Sequence, residues 1–278
     1  MTRTMQILSS LVLFLFALIL GPSAFALPDT PRTLRIYLDA DRYNNFASAR
    51  SIEMGVSAAF SHSDLLPEGV ELEVVPMDHR GNAKRSFKNF LTFEKDPNAL
   101  AIVGGMHSPP YLAYRDTINE RGLLLLLAWS AGGPITRGQS ENNWIFRVSV
   151  DDTKAGPFLA NSAVKAAGCT DPALLILNSG WGRFNLATMS DTLADLGIAN
   201  PTSILMDEEI SGEMATIIAR DIVGSDADCL IYVGHTRGGA DVFNVLVGMD
   251  SSIRVFSHWG ITDGDFLNKV SPETRADL

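Results

Sequence analysis

Histidine and tryptophan recur directly after short apolar runs in this chain: Met106-His107-Ser108, Trp129-Ser130-Ala131, Trp181, His235-Thr236 and His258-Trp259. Three of the five histidines and three of the four tryptophans fall at such places, more than scattered core packing would give. Flat rings gathered in this way stack on planar or cationic bodies. The competing reading, for each tryptophan taken singly, is core packing at a strand end. The histidines do not suggest a metal centre, because no pair has i, i+4 spacing and no HExxH-like helix occurs. Ser130 sits in Ala128-x-Ser130-x-Gly132, a relative of the nucleophile elbow, and follows an apolar run as an elbow serine must. The next residues, Gly133-Pro134-Ile135-Thr136, cannot start the helix an elbow requires, so Ser130 reads as a hydrogen-bond donor to a ligand. After the first apolar run comes Asp39 to Asn44 without a glycine-rich turn, which disfavours a nucleotide and predicts no cofactor.

The elements that must position these residues are legible in the periodicity. Short apolar runs alternate with longer amphipathic stretches, the pattern of parallel strands with crossover helices, so the chain is α/β. Strands are expected at 34–38, 70–75, 100–103, 123–127 and 144–148, then at 173–177, 203–206, 229–233 and 253–256. Helices are expected between them, at 47–61, 83–93 and 110–120, then at 156–167, 184–196, 213–222 and 240–247. Two such series predict two Rossmann-like lobes with parallel sheets and a hinge near Asp151 to Lys154. In a doubly wound sheet ligands collect beyond the carboxyl ends of the strands, where the histidines and tryptophans stand.

At the amino terminus Arg3 precedes an unbroken apolar run from Ile7 to Leu20, and Ala24-x-Ala26 follows. The run is too short to span a bilayer and reads as a signal peptide cleaved after Ala26. Residues 1–26 are therefore expected to be removed, leaving 27–151 as the first lobe, 152–261 as the second and 262–278 as a crossover back toward the first. The formal charge of −10 argues against nucleic acid as a partner. Cys169 precedes the first strand of the second lobe and Cys229 opens its third, neighbours in the usual doubly wound order, so a disulfide between them is expected in an oxidising compartment.

The resemblance to a known family rests on ordered stretches over some two hundred positions. Ala101 to Ser108 (AIVGGMHS), Asn119 to Gly122 (NERG), Ala128 to Ala131 (AWSA), Ile145 to Val148 (IFRV) and Asp151-Asp152 together look like a first lobe. Leu174 to Gly182 (LLILNSGWG) and Asp228 to Gly234 (DCLIYVG) look like its second. In these stretches the chain resembles the type I periplasmic binding proteins of the leucine/isoleucine/valine type. Its place just after a strand makes His107 a candidate ligand contact, and the resemblance implies that Ser108 binds a ligand carboxylate, a contact completed by Trp129, Ser130 and Ala131. Trp181, with His235 or Thr236, would cover the ligand from the second lobe, and Asp152 matches an acidic position at the crossover. Trp259 stands about where amino-acid binders carry the carboxylate that pairs the ligand's ammonium, which puts a simple aliphatic amino acid in doubt.

The expected function is that of a non-enzymatic, monomeric periplasmic solute-binding protein of an ABC importer. It would capture an amino-acid-like or other small organic ligand, aromatic or cationic, and present the closed form to an inner-membrane ABC permease. The alternatives are a ligand-sensing component of a receptor and a serine hydrolase using Ser130 with His258. By the resemblance, family members continue for roughly another hundred residues beyond the point matching Leu278, so either a truncated chain or an unusually short variant is expected, with an exposed sheet edge.

Overall fold

The computed structural model describes residues 32–61, 66–138, 141–249 and 253–277. The segment read as a signal peptide lies outside the described residues. The first series runs β1 (Arg32–Ala40), α1 (Phe46–Ser61), β2 (Val70–Asp78), α2 (Ala83–Lys95), β3 (Ala99–Gly104), α3 (Pro109–Ala113), α4 (Arg115–Arg121), β4 (Leu125–Leu127) and β5 (Ile145–Arg147). The second runs α5 (Asp152–Asn161), β6 (Pro172–Leu177), α6 (Gly180–Asp195), β7 (Thr202–Met206), α7 (Gly212–Gly224), β8 (Cys229–Val233), α8 (Thr236–Gly248), β9 (Arg254–Ser257), α9 (Phe266–Lys269) and α10 (Pro272–Asp277). The strands form two sheets, ordered β2-β1-β3-β4-β5 and β7-β6-β8-β9, and every pairing is parallel.

Burial on both faces explains why the strands read as continuous apolar runs. All six residues of β6 and all five of β8 are buried. Alternate side chains of β6 point to opposite layers: Ala173 and Leu175 join the cluster under α7 and α8, while Leu174 and Ile176 join that under α6. Each fully buried leucine or isoleucine contributes roughly 1.5–3 kcal/mol. The first sheet is layered likewise, with Tyr37 on one face and Ile36 and Leu38 on the other. At its edge β5 leaves Phe146 51% exposed, and Val148 just beyond the strand is 89% exposed.

Three local departures have physical causes. The helix expected over 110–120 is broken at Tyr114, whose backbone is non-helical (φ −119°, ψ 15°) and whose ring stacks on Phe87 with centroids 4.4 Å apart. The helix expected from 156 starts at Asp152, because the Asp151 side chain accepts from Thr153 N–H at 2.8 Å and caps it. The segment 262–278, read as crossing back toward the first lobe, lies against α8 in its described part. There Asn244 donates to the Lys269 carbonyl (3.1 Å) and accepts from Ser271 N–H (2.7 Å) and Thr274 O–H (3.0 Å).

Cys169 and Cys229 are bonded to each other, with Cα atoms 6.0 Å apart. The bridge lies at the amino ends of β6 and β8, remote from the strands' carboxyl ends, and closes a separation of 60 residues. Replacing both cysteines by serine is expected to lower the unfolding free energy by about 2–4 kcal/mol, measured by urea denaturation, while ligand affinity stays within about threefold. A loss below about 1 kcal/mol, or an affinity that falls with it, would contradict this placement.

Candidate functional site

A cavity of about 250 Å³ lies where the carboxyl ends of the two sheets meet. Its walls come from the ends of six strands. Met106 to Pro109 follow β3, Trp129 and Ala131 follow β4, and Leu177, Ser179 and Trp181 come at the end of β6. Glu208 follows β7, His235 follows β8, and His258 to Gly260 follow β9. The loops touch outside the cavity as well: Arg237 donates to the Asn44 carbonyl at 2.8 Å, linking the second lobe to the first.

Aromatic rings make up much of the second-lobe wall. Trp181 stacks on His235 (centroids 5.3 Å, 10° between planes) and meets His258 in a T-shaped contact (4.9 Å, 77°). His258 in turn stacks on Trp259 at 3.6 Å. Across the gap His107 meets His235 nearly perpendicularly, with centroids 6.4 Å apart. Close approach here requires glycine at 260, since a Cβ there would lie 2.7 Å from the Gly234 carbonyl and 2.8 Å from the Trp181 ring.

His258 is held from both sides. Its Nε2 donates to Asp152 Oδ1 at 3.0 Å and its Nδ1 accepts from Gly260 N–H at 3.1 Å, so the proton sits on Nε2. Both side chains are almost wholly buried, and the Asp152 N–H donates to the Ala131 carbonyl at 3.1 Å. Asp152 is thus behind the cavity wall and orients His258, where it had been expected to touch ligand.

Two other expected contacts are also turned away. Ser130 is fully buried and donates to the Gly105 carbonyl at 2.6 Å, with the His107 carbonyl at 3.1 Å, so it fixes the loops after β3 and β4. Its proton is committed to backbone, which suits neither ligand donation nor a nucleophile. Thr236 donates through its hydroxyl to the Ile261 carbonyl (2.6 Å) and through its N–H to Asp263 (2.9 Å), holding the turn after β9. The remaining expected residues, His107, Ser108, Trp129, Ala131, Trp181, His235 and Trp259, do line the cavity.

Ser108 Oγ accepts from Gly132 N–H at 3.0 Å and Ser179 Oγ from Gly182 N–H at 3.0 Å, which leaves each hydroxyl proton to donate. His107 Nδ1 is buried without a hydrogen-bond partner among the described residues, 3.9 Å from Asp41 Oδ2. Burial pushes the His107 pKa down to about 4, against the pull of Asp41 and with the push of His79 and His235. His235 goes the other way: burial opposes its charge, but the hydrogen bond to Glu208 and the charges of Glu208 and Asp263 outweigh that and raise its pKa. His235 Nδ1 lies 2.9 Å from both oxygens of Glu208 and 4.0 Å from Asp263.

Glu208 and Ser179 were not anticipated. Both obey the strand-end rule, but Glu208 lies in the run Asp207-Glu208-Glu209, which reads as a solvated loop, and Ser179 as a helix cap. Glu208, His235 and Asp263 bring donor atoms within 4.8 Å of one another. His235 Nδ1 directs its N–H at both Glu208 oxygens.

The sequence matches the family described as periplasmic binding protein over residues 44–250. No curated protein matches it. Among solved structures, a leucine binding protein from Thermotoga maritima superposes with a TM-score of 0.68 at 16% identity, covering 82% of this chain and 63% of that one. A solute binding protein of an ABC transporter from Rhodopseudomonas palustris HaA2, in complex with p-hydroxybenzoic acid, gives 0.72 at 16% identity, covering 88% and 72%. Another from R. palustris, in complex with benzoate, gives 0.73 at 16% identity, covering 87% and 66%. The chain thus spans about two thirds of the length of these proteins, and at such identities the likeness shows the fold alone.

His107 yields a pH prediction. Its folded pKa is below its unfolded value of 6.5, so the unfolded chain takes up a proton that the folded chain refuses. This contribution to stability is complete above about pH 6.5 and is lost as pH falls toward 4. Between pH 7 and pH 5 the native protein should lose about 2 kcal/mol more unfolding free energy than His107→Gln, measured by urea denaturation. Equal losses would contradict the assignment.

Proposed function

Since the chain belongs to the periplasmic binding protein family, we propose that it captures a small carboxylate bearing a planar ring, between lobes bounded near Asp151 and Asp152. The observation that carries this reading is the cavity itself, flanked by Trp129, Trp181 and Trp259 and furnished with hydroxyl donors at Ser108 and Ser179. Its volume of about 250 Å³ is below the usual range of roughly 300–1,000 Å³ for drug-sized ligands, which suits a compact solute. Apolar ring faces supply burial and stacking, while Ser108 supplies an O–H to a carboxylate oxygen. The solved relatives holding benzoate, p-hydroxybenzoic acid or 3,4-dihydroxybenzoic acid support the ligand class.

A solute touching both walls favours the closed arrangement by its differential contacts with it. In this reading the chain is exported by cleavage after Ala26, acts as a monomer in the periplasm and presents the closed form to an inner-membrane ABC permease. The family's role as solute carriers, and the commitment of Ser130 to backbone, support binding without catalysis.

Thermal-shift measurements test the ligand class. Benzoate or 4-hydroxybenzoate at a hundred times its Kd should stabilise the protein by about 2.7 kcal/mol, and Trp259→Ala should abolish most of the shift at the same concentration. Stabilisation by leucine and by no aromatic acid would overturn the reading.

A further inference from the structure

We propose that Glu208 selects the ligand by accepting a hydrogen bond from a ring hydroxyl remote from the ligand's carboxylate. The inference rests on the reading of the cleft as a site for ring-bearing carboxylates. Glu208 lines the cavity from the second-lobe side, at the end of β7, and its side chain is 39% exposed. Among the described residues only His235 donates to it. A carboxylate has about four acceptor positions, and one N–H occupies the side facing His235. The remaining lone pairs are available to a donor inside the cavity.

Charge decides which end of a ligand comes here. Glu208 and Asp263 lie within 4.0 Å of a single imidazole, so a ligand carboxylate placed beside them meets like charges. It is directed instead to the first-lobe wall, where Ser108 has a hydroxyl proton to donate and, among the described residues, no acid lines that wall. The opposite end of the ligand then faces Glu208. Arg237, paired with Glu209 at 2.7 Å, supplies a positive charge on the same loop as His235. A neutral ring hydroxyl there completes the Glu208 shell. Trp259, which replaces a carboxylate in the resemblance to amino-acid binders, therefore does not leave the site without an acid: Glu208 provides one from a different strand.

Calorimetric titration of the native protein and of Glu208→Ala, with benzoate, 4-fluorobenzoate, 4-hydroxybenzoate and 4-(aminomethyl)benzoate, tests the proposal. A hydrogen bond to a charged group predicts that the native protein binds 4-hydroxybenzoate about 10- to 100-fold more tightly than benzoate or 4-fluorobenzoate. In Glu208→Ala that ratio should fall below about threefold. Should Glu208→Ala fail to fold, Glu208→Gln keeps the shape and should still reduce the ratio. A ratio that persists without Glu208, or absent discrimination by a native protein that does bind benzoate, overturns the role of Glu208 and leaves the ring-carboxylate reading intact. Tighter binding of the aminomethyl compound than of the phenol also overturns it, in favour of an ammonium. Failure of every aromatic acid to bind removes both proposals.

Discussion

Asp152 and His258 hold each other in a place from which water is excluded, and the cleft is arranged round that hydrogen bond. Asp152 opens the helix that carries the chain into the second lobe, and its N–H reaches back to Ala131 in the first. His258 stands at the end of β9, stacked on Trp259 and nearly perpendicular to Trp181. Removing the carboxylate would strand a buried N–H, which ordinarily costs about 1–3 kcal/mol. It would also free the ring that sets both tryptophans. The bond therefore ties the crossover between lobes to the aromatic wall, so wall and hinge are parts of one packed unit.

The charged groups are placed so that the cavity itself stays largely apolar. Asp41 stands behind His107, and Asp263 together with Glu208 stands against His235. The two imidazoles face each other across the gap and respond in opposite senses, His107 pushed toward neutrality by burial and His235 toward the charged form by its acids. The first-lobe wall thus offers neutral donors and the second-lobe wall an acid–imidazole pair. In the proposed reading a solute with unlike ends finds one orientation there, and Arg237 joins the second lobe to the Asn44 carbonyl of the first.

Much of this was legible in the residues alone. Strands such as Cys229–Val233 announced themselves because burial on both faces demands unbroken apolar runs, and the positions after them gave His107, Ser108, Trp129, Trp181, His235 and Trp259. What periodicity does not carry is the direction of a small polar side chain. Ser130 and Thr236 stand at strand ends yet spend their protons on carbonyls of neighbouring loops, contacts decided by how those loops pack. Asp152 finds its partner 106 positions away, beyond any local pattern. Glu208 was hidden among acidic neighbours, where only the tertiary position of His235 distinguishes it.

The central claim is that one planar solute is held among Trp129, Trp181 and Trp259, and intrinsic tryptophan fluorescence reports on it most directly. Titration with 4-hydroxybenzoate should give a saturable change at one ligand per chain, persisting when Trp144, which lies outside the cleft, is replaced by phenylalanine. Calorimetric binding without any fluorescence change, or a change that disappears with Trp144, would place the solute elsewhere and contradict the account.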